Sequence, residues 1–311
     1  MDLISVGRVS VDLYAREPGV GFDRQQSFTK SIGGSPTNVA IATARLGHKV
    51  ALATKVGDDA FGEYVRWRLS EFGVLADLVK IQPNAQTPLA FAALTPPESP
   101  TVVFYRGEAA PDTTLEAKDV SEELLRKTRI LWMSQSALAV GTTSQSALAW
   151  MAMRSREQET ILDLDYRPSL WSSMEESRAK ALQAIALATV VVGNREECLM
   201  ALGTAEPDAA ADALLAAGVK LAIVKLGAEG ALFATATERI RVSPIPIEAV
   251  CGLGAGDAFG GALCHGLLEG WPLEQIAEAC NAAGALVSLS LTCSDAMPTS
   301  EELAEMIERH S

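Results

Sequence analysis

The sequence predicts an α/β protein: a mostly parallel sheet flanked by helices, with a small β-sheet standing off it. Three observations carry this. Short β-branched runs alternate with Ala- and Leu-rich amphipathic stretches. The runs are apolar throughout, as strands covered on both faces are. Two regions, about 10–32 and 86–106, instead read as strands with no helix between them.

Taken in order, LISVG (3–7) opens the main sheet, and VSVDLYA (9–15) and QSFTKSI (26–32) leave it for the small one. A helix at Pro36–Leu46 starts on a proline, whose missing N–H costs nothing in a first turn. KVALATKVG (49–57) is the next main strand, followed by a helix at Ala60–Phe72. PLAFAALT (88–95) and TVVFYRG (101–107) return to the small sheet, joined by TPPESP, a turn in which proline excludes regular structure. RILWMSQ, TILDLDY, TVVVGN and LAIVKLG then alternate with helices at Ser144–Gln158, Glu175–Ala188 and Asp208–Ala217. A last apolar helix runs from about Ala255 to Leu268. The 311 residues thus read as a single domain, 1–311. A small sheet drawn from two insertions and hinged near the crevice is expected to act as a lid.

Apolar residues make up 48% and charged residues 21%, an ordinary balance for a folded protein. The net charge of -13 repels polyanions, which argues against nucleic acid as a partner. A small anion would need a locally positive site or backbone N–H groups. The five cysteines (Cys198, Cys251, Cys264, Cys280, Cys293) show no C-x-x-C spacing and read as buried thiols of a reducing, cytoplasmic setting. The start lacks a basic, then apolar, leader, and no run reaches the ~18 apolar residues of a membrane span.

Four glycine-rich stretches carry the chemistry. In GLGAGDAF, Gly254, Ala255 and Gly256 lead into a helix whose free amides and dipole make an anion site. Asp257 beside them is either a helix cap or the base that takes a proton from an attacking hydroxyl. No G-x-x-x-x-G-K-[ST] occurs, and the third glycine of G-x-G-x-x-G is missing. SIGGSPTNVA places Gly33 and Gly34 before a helix with Asn38 in its first turn. VKLGAEGALF ends a strand at Lys225 and turns through Gly227 and Gly230, as a plain hairpin also would. VVVGNREE sets Asn194 and Glu197 three apart on one helix face, where amide and carboxylate suit a hydrated Mg²⁺ or merely a surface.

Together with Gly7 to Asp12 (G-x-x-x-x-D) and KVGDDAFG at 55–62, these segments resemble the ribokinase-like (PfkB-type) carbohydrate kinase family over essentially the whole chain. The resemblance implies a Rossmann-like α/β domain with a small β lid, MgATP as phosphoryl donor, Asp257 as catalytic base and the Gly254–Gly256 amides as its anion hole. It implies that Asn194 and Glu197 organise Mg²⁺ through water. Asn194, Lys225, Gly227, Gly230, Gly254, Gly256 and Asn281 would line the nucleotide site. It also brings pairing of two copies through the lid, whose exposed edges favour it.

The sugar is narrowed by charge. FYRGEAAPD supplies Arg106, and LDLDYRPSLW supplies Asp165 and Arg167. Two guanidinium groups converging on one crevice suit a carboxylate, hence a sugar acid. Several strings (GRVSVDLY, GGSPTN, FYR, LDYRP, SDAMPT) look similar to those of kinases acting on 5-dehydro-2-deoxygluconate in myo-inositol catabolism. By that likeness Asp12, Gly33, Gly34, Asn38, Phe104, Arg106, Arg167 and Asp257 surround the substrate, while Asp165 binds a hydroxyl or only holds Arg167. A 2-keto-3-deoxygluconate kinase, a fructokinase and a non-catalytic sugar or nucleotide sensor stay open as alternatives. Cys251 stands where many members of the family carry an Asp that helps hold a monovalent cation, so K⁺ dependence is left open. The three histidines, His48, His265 and His310, read as forming no cluster.

Overall fold

The computed structural model describes residues 1–96, 100–107 and 109–310. Among them, nine strands form the main sheet: β1 (Leu3–Val6), β4 (Val50–Gly57), β5 (Val79–Gln82), β8 (Ile130–Ser134), β9 (Glu159–Asp163), β10 (Val190–Asn194), β11 (Leu221–Lys225), β12 (Ala231–Ala234) and β13 (Arg239–Val242). Their order is β13-β12-β11-β10-β9-β8-β1-β4-β5. All neighbours are parallel up to β11, and the last two strands turn back antiparallel. The reason is local. Between β11 and β12 the turn spans only Leu226–Gly230, too short for the crossover that a parallel connection needs.

Both faces are covered, as the uniformly apolar strands require. One core packs the helices Ser35–Arg45, Ala255–Glu269 and Leu273–Ser288 against Leu3, Leu52, Trp132 and Ile223. The other packs helices from Gly141–Ala152 to Pro207–Ala216 against Ile4, Leu131, Leu162 and Val224. Alternate residues of each strand therefore feed opposite cores, the period-two geometry of a sheet.

The second sheet runs in the order β3-β2-β6-β7, from β2 (Ser10–Ala15), β3 (Phe28–Gly33), β6 (Leu89–Ala93) and β7 (Thr101–Tyr105). Its two halves come from the two expected insertions and join where β2 pairs with β6 in parallel. Residues 97–99 of the TPPESP turn between β6 and β7 lie outside the described residues.

Three expectations need correction. The main strand β9 ends at Asp163, not at Tyr166, because the chain leaves the sheet there and Asp165 turns inward to meet two arginines. The helix expected at Ser144–Gln158 spans Gly141–Ala152. It stops where the buried Arg154 guanidinium donates to the carbonyls of Leu125 (2.6 Å), Thr128 (3.1 Å) and Glu159 (3.0 Å), contacts that a continuing helix would not reach. The histidines do form a pair: His48 Nε2 lies 2.7 Å from His265 Nδ1. Sequence spacing hid this, because 217 residues separate the two. No helix among the described residues is long and apolar enough to cross a membrane.

Candidate active site

Two clefts meet at the N-terminus of the helix Ala255–Glu269. The first lies between the small sheet and the carboxyl ends of the main strands. Asp12, Gly34, Asn38, Phe104, Arg106, Arg167, Gly254 and Asp257 all line it. The family likeness had grouped these residues around the substrate, except Gly254, which it gave to the anion hole and the nucleotide site, and the fold brings them together.

Asp257 is held from one side. Asn38 Nδ2 donates to its Oδ2 at 2.7 Å, and Ser294 Oγ donates to Asn38 Oδ1 at 3.0 Å, which fixes the amide's orientation. Burial raises the Asp257 carboxyl above the usual carboxylate range, and the Asn38 donor works against that rise. Gly254 caps the helix with φ 81°, a left-handed conformation that favours glycine, and a Cβ there would press 2.7 Å against Cys293. The N–H groups of Asp257 and Ala258 already bond the Gly254 carbonyl (3.1 and 2.9 Å), which leaves those of Ala255 and Gly256, in the first turn where the two clefts meet, for an anion.

Asp12 accepts from Ser10 Oγ at 2.6 Å and from the Tyr14 hydroxyl at 3.3 Å. Burial pushes its carboxyl up to about 6. Gly33 is required here: a Cβ would fall 1.8 Å from Asp12 Oδ2. Gly33 therefore shapes the site through Asp12 rather than by lining the cleft.

The arginines are arranged differently from a pair of free guanidinium groups. Arg106 donates to the buried Asp112 at 2.7 Å. Arg167 pairs with Asp165 at 2.9 Å and keeps about half its side chain exposed. A third, Arg8, also lines the cleft; it bonds Ser136 Oγ at 3.0 Å and Asp165 at 3.1 Å. Its position in GRVSVDLY gave no signal, since an arginine between two strands reads as a solvated charge. Asp165 stands behind the cleft lining, where it also accepts from Ser134 Oγ at 2.7 Å. Burial would raise its carboxyl, but Arg167 and Arg8 outweigh that and hold it well below the usual range. Of its two readings, the structure gives Asp165 the one that holds the arginines.

The second cleft, about 570 Å³, is lined by Lys225, Gly227, Gly230, Gly256 and Asn281, as expected, and by Pro244–Ile247, Phe259 and Ala285. A Cβ on Gly256 would sit 3.4 Å from Lys225 Nζ, so the glycine keeps open the gap between helix N-terminus and lysine. Lys225 Nζ lies 3.8 Å from Asp163 and 4.0 Å from Glu197. Burial opposes its charge, yet these carboxylates keep the ammonium protonated above its ordinary range, while burial pushes Asp163 up. Asn194 and Glu197 stand off the cleft lining in a reciprocal capping box. Glu197 N–H donates to Asn194 Oδ1 at 2.9 Å, and Asn194 N–H donates to Glu197 Oε2 at 2.7 Å. Cys251 is buried and brings no carboxylate to this region.

Two clefts converging on one carboxylate suit the transfer of a group between two small molecules, and amides aimed at the junction favour an anionic group. That defines a small-molecule phosphotransferase of the α/β class. Residues 1–300 match the model of the pfkB family carbohydrate kinases, and the chain belongs to that family. It is an ATP-dependent sugar kinase with a ribokinase-like fold. A relative from Geobacillus kaustophilus (strain HTA426), named 5-dehydro-2-deoxygluconokinase, is 32% identical over 100% of this chain and 94% of its own. An E. coli protein assigned as ribokinase II and solved with ATP and Mg²⁺ superposes with a TM-score of 0.89, at 25% identity over 99% of each chain. A Vibrio cholerae O395 fructokinase double mutant, solved with fructose, ADP and potassium ion, gives 0.86 at 27% identity over 98% of each chain.

Proposed function

We propose that this kinase phosphorylates the terminal hydroxyl of a sugar acid, 5-dehydro-2-deoxygluconate, to give the 6-phosphate, a step of myo-inositol catabolism in the cytoplasm. The observation that carries the reading is the three guanidinium groups, Arg8, Arg106 and Arg167, that line the sugar cleft of an acidic protein. The name shared by its curated relatives supports the same substrate. A neutral ketose offers those cations nothing that a carboxylate does not offer better.

The second cleft fits a nucleotide. Pro244, Ile245 and Ile247 supply apolar walls for a base, and the gap between Gly256 and Lys225 suits phosphate. When bound, MgATP supplies the γ-phosphoryl group. The chain's own residues do the rest. Asp12 and Asn38 orient the sugar so that one hydroxyl reaches Asp257, which takes its proton as the new O–P bond forms. The amides of Ala255 and Gly256, with Lys225, stand where negative charge must be accommodated during transfer. Glu197 and Asn194 fit a role in holding hydrated Mg²⁺ only through water, since both already cap their helix. Without an acid at Cys251, a K⁺ site would rest on backbone carbonyls. The small sheet acts as a lid over the sugar, and its exposed aromatic face, with Phe28 and Tyr105 packed on either side of Phe91, suits pairing with a second copy.

ADP release with MgATP and a panel of 5-dehydro-2-deoxygluconate, 2-keto-3-deoxygluconate, fructose and ribose tests the substrate. The first should exceed fructose in kcat/KM by about 100-fold, the worth of one or two charge-assisted hydrogen bonds. Preference for fructose or ribose would leave the kinase and sink the sugar acid.

The pH profile tests the base. Only ionised Asp257 can take a proton, and its carboxyl is raised by burial. The acid limb of kcat/KM should therefore lie above the ordinary carboxylate value of about 4. Asn38→Ala removes the donor that favours the ionised form and should move that limb further up. A limb at or below pH 4, or one that stays put in the variant, would detach the profile from Asp257.

A further inference from the structure

We infer that His48, His265 and Glu269 form a binding site for a divalent transition metal of the Zn²⁺ class, separate from the sugar and nucleotide clefts. One ligand atom from each residue lies within 4.8 Å of the other two. His48 Nε2 is 2.7 Å from His265 Nδ1 and 3.9 Å from Glu269 Oε1. Around a tetrahedral ion with bonds of about 2.0–2.2 Å, ligand atoms stand roughly 3.3 Å apart. The nitrogens must therefore part by about 0.6 Å while the carboxylate closes on His48 by about the same amount. Two imidazoles and one carboxylate suit Zn²⁺, Ni²⁺ or Cu²⁺ and disfavour Mg²⁺ and Ca²⁺, which want oxygen alone.

The scaffold is preformed. His265 and Glu269 are i and i+4 on one face of the helix Ala255–Glu269. His48 comes from the loop after the helix Ser35–Arg45. These helices touch closely one turn earlier, where a Cβ on Gly261 would lie 2.3 Å from that of Ala42. Both imidazoles are largely buried, whereas about half of the Glu269 side chain is exposed, and it is on that side that a fourth position is open to solvent. Arg129 reaches the same helix end, but it is engaged by the Leu268 carbonyl (2.6 Å) and by Asp2 (3.9 Å). In the metal-free pair one imidazole N–H donates to the other nitrogen; binding moves that proton to the far nitrogen of its own ring. The site lies eight residues beyond Asp257, roughly 12 Å along the helix axis. An ion there would tie together the ends of the two helices whose beginnings carry Asn38 and Asp257.

The test is calorimetric titration of chelator-treated protein with Zn²⁺, without nucleotide or sugar, beside Glu269→Gln and His48→Gln. The wild type should take up one equivalent that both variants bind at least about 10-fold more weakly. Zn²⁺ at about 100-fold excess over Kd should raise the wild-type Tm by several degrees and the variants' far less. Cu²⁺ gives a second readout, because Trp271 packs edge-on at 4.7 Å from His265 and its fluorescence should be quenched in the wild type alone. Absence of a stoichiometric Zn²⁺ site, or wild-type affinity in both variants, would overturn the proposal. Glu269→Gln should keep its sugar-kinase rate, so this outcome is independent of which sugar is used.

Discussion

Asp257→Asn is expected to lower turnover by about 10³-fold or more while nucleotide binding is kept. The amide is nearly isosteric with the carboxylate, so the helix N-terminus, Gly254 and the second cleft should stand as they are. What disappears is the one group placed to take the sugar's proton. Asn38 donates its Nδ2–H to Asp257 in the wild type at 2.7 Å, and an asparagine that turns its carbonyl toward Asn38 can keep that bond. The loss should therefore fall on kcat, with binding of an ATP analogue by calorimetry changed less than about threefold. A variant that retains near-normal turnover would remove Asp257 from the chemistry and leave it as a helix cap. That outcome would also revive the sensor reading.

Arg167→Ala should raise KM for the sugar acid by about 10- to 100-fold while moving KM for a neutral ketose by less than about threefold. Arg167 is the most accessible of the three cleft arginines, and its partner Asp165 keeps Arg8 at 3.1 Å when Arg167 is gone. The deletion thus leaves no buried carboxylate without a cation. Arg106→Ala is less clean, because it strands the buried Asp112 and should cost stability as well. Its effect on KM should likewise favour the neutral sugar. Equal changes for both sugars, in both variants, would argue that these side chains shape the cleft without reading a carboxylate.

Six of the nine main strands were legible from local pattern alone, since apolar runs and Ala-rich stretches report burial on both faces residue by residue, whereas β5, β12 and β13 at the two edges of the sheet were not expected. Asp257 and Asn38 lie close in sequence to glycines that flag them, Gly254 with its left-handed cap and Gly34, whereas Asp12 followed only from the family likeness, because the Gly33 that must lack a Cβ against it is 21 residues away. Contacts set by topology were not legible. Arg8 meets Asp165 across 157 residues and His48 meets His265 across 217, and nothing near either residue encodes the meeting. Asn194 and Glu197 show a subtler limit. Their i, i+3 spacing was read as suiting a hydrated Mg²⁺ or merely a surface, and the same spacing also specifies a capping box, which the folded chain forms.

The division of the sugar cleft between two bodies has a consequence for how the kinase avoids waste. Asp12 and Phe104 ride on the small sheet, whereas Asn38 and Asp257 belong to the main one. A water molecule can touch one pair but cannot span both. On the function proposed above, a six-carbon acid spans both and is expected to draw the two bodies together. Idle hydrolysis of the nucleotide would then be suppressed by reach rather than by chemistry, because the shorter molecule never assembles the machine that would consume it.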